Sequence, residues 1–143
     1  KMRLAGSAVL SKLAAEKAKS ANILFDGLLT DSKAQTADLE KQMRGFAEGF
    51  ALTAYRFDKY KKKESDQSAF VGPEKVFFVS KNKTFSKFLP ALAKDIAITA
   101  ECVNITRDWS NEPTNYGTPE YFAEEAKRYA KDLGISCKIL SEA

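Results

Sequence analysis

Along the first sixty residues, apolar positions recur at helical spacing and then close into short unbroken runs. Leu4, Ala8 and Leu13, with Val9 and Leu10 beside them in Ala-rich surroundings, predict a helix from Met2 to about Lys19. Ile23-Leu24-Phe25, closed by Asp26-Gly27, reads as a buried strand and turn. Leu39, Met43, Phe46, Phe50, Ala54 and Phe57 form one stripe and predict a second helix from about Thr36 to Phe57. Gly45 and Gly49 lie beside that stripe. Glycine inside a helix costs about 1 kcal/mol relative to Ala, so their spacing predicts another element approaching the backbone closely. The Glu, Lys and Arg around them argue against a membrane dimer motif.

A polar, turn-rich stretch, "ESDQSAFVGP", reads as a surface loop before Val76-Phe77-Phe78-Val79. Four bulky residues in a row, β-branched at both ends, predict a strand covered on both faces. A long helix is expected from about Phe88 to Trp109. It starts near Leu89, because Pro90 is best tolerated in a first turn. Leu92, Ile96, Ala100 and Val103 line its face, with Leu89, Ala93 and Ala97 widening it and Cys102 partly buried. "RDWSNEPTNYGTPEYF" then ends the helix, placing turn formers directly behind the chain's only Trp. Thr118-Pro119-Glu120 is a helix restart: a cap, a first-turn proline and an acid at the positive end. Phe122, Ala126, Tyr129, Ala130 and Leu133 supply the apolar stripe, and Gly134 the left-handed stop. "ISCKIL" alternates, so a last strand is expected with Cys137 pointing inward, a reactive thiol being the alternative.

Strands alternating with helices predict an α/β layered fold with largely parallel strands. At 143 residues with 44% apolar and 11% aromatic side chains, a substantial core is expected. No apolar run approaches the roughly 20 residues that cross a bilayer, so no membrane partner is expected. Cys102 and Cys137 are too few for a disulfide framework and read as free thiols of a cytoplasmic protein. With no histidine at all, Ser-His-Asp and Cys-His nucleophiles and Cys/His zinc fingers are excluded, leaving only sites built from Asp, Glu and Lys. The net charge of +4 is accounted for by Lys59, Lys61, Lys62 and Lys63, without which the charges balance. That spot is either an anion contact or a solvated helix end. No phosphate-binding glycine motif is present.

Two segments carry a resemblance. "EGFALTAYRFDKYKKK", residues 48–63, and "VNITRDWSNEPTNYGTPEYFAEEAKRYAKDLGISCKIL", residues 103–140, resemble segments of the leucyl aminopeptidases, also called cytosol aminopeptidases. The second match is long and gap-free. It departs where Trp109 replaces an aliphatic residue and Tyr116-Gly117 a more aliphatic pair. The resemblance implies a partial macro-domain-like α/β domain over residues 1–87, a linker helix over 88–111, and the first helix and strand of a truncated catalytic domain over 112–143. Trp109, Asn111, Pro113 and Asn115 would then stand at a domain joint.

In that family two divalent metals, zinc or manganese, held by Lys, Asp and Glu, activate the water that attacks the peptide bond. Those ligands belong to carboxy-terminal motifs such as Asn-Thr-Asp-Ala-Glu-Gly-Arg, and no such run occurs in this sequence. No catalytic or metal-binding residue is therefore carried over, and no cofactor is expected in this chain. The implied partners are the remainder of an aminopeptidase chain and, in the parent, a homo-hexamer. The family's domain normally opens with strands ahead of the helix at Met2, so the chain is expected to be a piece with open strand edges, which favour association. A different class of reading is a macro-like nucleic-acid or nucleotide module contacting phosphates through Lys59–Lys63, with Tyr60 stacking on a base. An independent small enzyme using Asp, Glu and Lys has no constellation to recommend it.

Overall fold

Helix and strand alternate largely as the pattern predicts in the computed structural model, which describes residues 1–27, 36–61 and 72–140. The elements are α1 (Met2–Ala15), β1 (Ser20–Leu24), a 3-10 turn (Phe25–Gly27), α2 (Thr36–Thr53), β2 (Lys75–Val79), α3 (Lys83–Asn111) and α4 (Pro119–Asp132). They divide into two compact units, Lys1–Asn104 and Ile105–Ala143, so the last turns of α3 belong to the second. Among the described residues this is a mixed α/β architecture of four helices and one small parallel sheet.

In the first unit, α1 ends at Ala15 and does not continue to Lys19. Ala18 N–H donates to Leu13 O and Lys17 N–H to Ala14 O, both at 3.0 Å, while Lys17 takes φ 52°. This is the Schellman stop with a lysine where glycine is usual. Helix α2 begins as expected but ends at Thr53, so Phe57 and the Lys59–Lys61 residues lie beyond it. The predicted close approach is made at Gly49, where a Cβ would strike the Arg3 carbonyl oxygen of α1. Gly45 faces only ordinary contact, 3.5 Å from Met2 Cβ. The other half of the contact is Gly6, where a Cβ would strike Phe46 O. Two glycines facing across the seam let the α1 and α2 backbones touch.

Strands β1 and β2 pair in parallel, with Ala21 opposite Val76, Ile23 opposite Phe78, Asn22 opposite Phe77 and Leu24 opposite Val79. The inner pairs face a core of Leu10, Ile23, Phe25, Met43, Phe46, Ala47, Phe50, Phe85, Leu89, Leu92 and Ile96. Phe25, Met43 and Phe46 are its largest fully enclosed members. Phe25 stacks on Phe78 at 5.1 Å between ring centroids and meets Phe46 edge-on at 5.6 Å. The expectation that β2 is covered on both faces fails among the described residues. Phe77 is 55% exposed and Val79 41%, so β2 alternates like a half-covered strand.

Helix α3 starts at Lys83, not near Leu89, and holds Pro90 inside it. An interior proline costs about 3 kcal/mol. Phe85, Leu89, Leu92 and Ile96, at steps of four, three and four, are all buried. At about 1.5–3 kcal/mol each, their burial outweighs the proline. Ala93 and Ala97 are exposed, contrary to the widened face expected of them, and Cys102 is exposed where partial burial was expected. The strand expected at Ile135–Leu140 is absent too: these residues form no ladder and all are exposed, Cys137 with them. Alternation supplies a strand's face, but pairing needs a neighbouring strand, and the second unit has none among the described residues.

Candidate functional site

The second unit is organised around the expected helix restart. Thr118 caps α4, its Oγ1 accepting the Tyr121 N–H at 3.3 Å, with Pro119 in the first turn. Glu120 has its carboxyl held below the ordinary value by its own backbone N–H and by Thr118. At the far end Ile135 N–H donates to Ala130 O at 2.8 Å and Gly134 N–H to Lys131 O at 3.2 Å. Gly134 takes φ +67° there, the left-handed stop that was expected. Leu133, placed on the apolar stripe by its spacing, is instead 70% exposed.

Trp109, at the end of α3, lies against α4. Its ring centroid is 5.9 Å from Phe122 and 6.1 Å from Tyr129. Between them the chain folds on a single carbonyl, Pro113 O, which accepts the N–H groups of Tyr116 and Gly117 at 2.8 Å each. Asn111, Pro113 and Asn115 all sit on the exposed side of this turn. Sequence reasoning missed the polar contacts that flank it. Tyr121 Oη donates to Glu112 Oε1 over a long 3.5 Å. The Arg128 guanidinium lies 4.4 Å from the Tyr129 ring centre, and Glu125, chiefly by hydrogen bonding, holds it even more firmly protonated than usual. Helical i, i+3 spacing of Glu125 and Arg128 was the available signal for the last pair.

In the first unit, the carboxyl ends of both strands are tied by Asp26. Its Oδ2 accepts Lys81 N–H at 2.8 Å and its Oδ1 accepts Ser80 Oγ at 2.9 Å. The Lys81 N–H, with Ser80 assisting, holds this carboxyl below its ordinary range. Of the basic spot, Lys61 Nζ pairs with Asp58 at 2.6 Å and Lys59 Nζ stands 5.4 Å from the Tyr60 ring centre. Lys62 and Lys63 lie outside the described residues. Lys59 and Lys61 are exposed, and they follow the end of α2 at Thr53 after residues 54–58.

Among the described residues no group of three His, Cys, Asp or Glu is placed to hold a metal ion, and no helix is long and apolar enough to cross a membrane.

The class defined so far is a small helix-covered α/β unit followed by a capped helical unit. Comparison with known proteins gives that class a family. Residues 1–64 match the family described as "Cytosol aminopeptidase family, N-terminal domain". A probable cytosol aminopeptidase of Desulfotalea psychrophila is 30% identical over 141 residues, 99% of this chain and 27% of the relative. One from Rhizobium etli is 37% identical over 139 residues, 96% of this chain and 26% of the relative. The fold is similar to that of a bottromycin maturation enzyme, BotP, solved in complex with Mn. That structure has TM-score 0.72 and 22% identity, covering 99% of this chain and 26% of that one. Residues 1–64 thus match the amino-terminal domain of the cytosol aminopeptidase family, and the chain spans about a quarter of the length of these relatives.

Proposed function

We propose that this chain is the non-catalytic amino-terminal part of a metal-dependent leucyl aminopeptidase, which removes amino-terminal residues from peptides. Its role in that enzyme is structural. The observation that carries this is the alignment of 99% of the chain with only 27% of an aminopeptidase relative. No group of three His, Cys, Asp or Glu lies together among the described residues, and no catalytic step is assigned to them. The two divalent ions, zinc or manganese, belong to the remainder of the enzyme, as do the groups that position the water.

On this reading residues 1–87 are a macro-like domain, 88–111 a linker helix, and 112–143 the opening of the catalytic domain. Trp109, Asn111, Pro113 and Asn115 form the joint, with Trp109 as its apolar seat and the Pro and Asn residues bending the chain around it. The parent is a cytoplasmic homo-hexamer. The nucleic-acid reading finds no support in the Desulfotalea psychrophila and Rhizobium etli relatives, both named probable cytosol aminopeptidases, and is set aside.

The test is a chimera in which this chain replaces the matching 139 residues of the Rhizobium etli relative. With manganese or zinc, the chimera is expected to release leucine from a leucyl peptide, and residues 1–143 alone are expected to release none. Release by the isolated chain overturns the proposal. So does an inactive chimera beside an active parent.

A further inference from the structure

We draw no further inference here: the strongest candidate, the open apolar depression of about 570 Å³ on the outer face of the β1–β2 sheet, lined by Asn22, Leu24, Phe77 and Val79, carries nothing because nothing in the structure shows what covers it.

Discussion

Gly45 and Gly49 look alike in the sequence, both helical and four residues apart, yet their surroundings give substitutions opposite signs. A methyl at Gly49 meets the Arg3 backbone, which cannot turn aside as a side chain can. Gly49→Ala is expected to cost about 1–3 kcal/mol in urea denaturation. Gly45→Ala meets only Met2 Cβ at 3.5 Å and should gain up to about 1 kcal/mol from helix propensity. Equal effects of the two changes would contradict the described α1–α2 seam. Asp26 makes a prediction in pH. Its carboxyl is held below the ordinary value of 3.8, first by Lys81 N–H. A depressed carboxylate contributes stability that is present above the unfolded value and lost as pH falls through the lowered folded value. Asp26→Asn should therefore lower the unfolding midpoint at pH 7, and the difference from the native chain should shrink below about pH 4. Parallel pH profiles for the two proteins would remove the proposed tie. Neither Gly6 nor Asp26 could be singled out beforehand, because each acts on a backbone distant in sequence: Phe46 for one and Lys81 for the other.

At the scale of elements, local chemistry foretold starts and stops wherever it sits in consecutive residues. Thr118-Pro119-Glu120 and Gly134 bound α4 as expected. Lys17 is the contrary case, a left-handed residue with φ 52° in a position where glycine is the usual signal. Relief of left-handed strain is worth about 1–2 kcal/mol, partly offset by the greater freedom of glycine in the unfolded chain. Lys17→Gly is therefore expected to raise stability by about 0.5–1 kcal/mol, measured by thermal or urea unfolding. A loss would show that the stop is held differently. Strand β2 offers a paired test of which side faces the core. Phe78→Ala removes a ring stacked on Phe25 and should cost about 2–4 kcal/mol. Phe77→Ala, on the outer face, should stay within about 0.5 kcal/mol. Four consecutive bulky residues carry no alternation, so the run Val76–Val79 announced a strand but could not say which face is covered. Pro90 misled for a related reason: its cost is local, while the burial of Phe85 and Leu89 that outweighs it is tertiary.

For the whole molecule, the expectation that follows from the proposed role concerns stability as well as activity. A metal that binds the folded state raises its melting temperature according to concentration over affinity. With no cluster of three His, Cys, Asp or Glu among the described residues, added manganese or zinc should leave the melting temperature of residues 1–143 unchanged, while the active chimera should be stabilised. A clear rise for the isolated chain would place a metal site within it. Helix periodicity, capping residues and the two aminopeptidase-like segments are properties of neighbours in the chain, so the sequence by itself determined the α/β class, the order of elements as far as α4 and the family resemblance. The α1–α2 glycine contact, the Asp26 tie and, among the described residues, the exposed outer sheet face and the lack of a final ladder were decided only by the tertiary structure. Each depends on which distant backbone or strand arrives beside a residue, and hydrophobic spacing, being degenerate among partners, does not specify that.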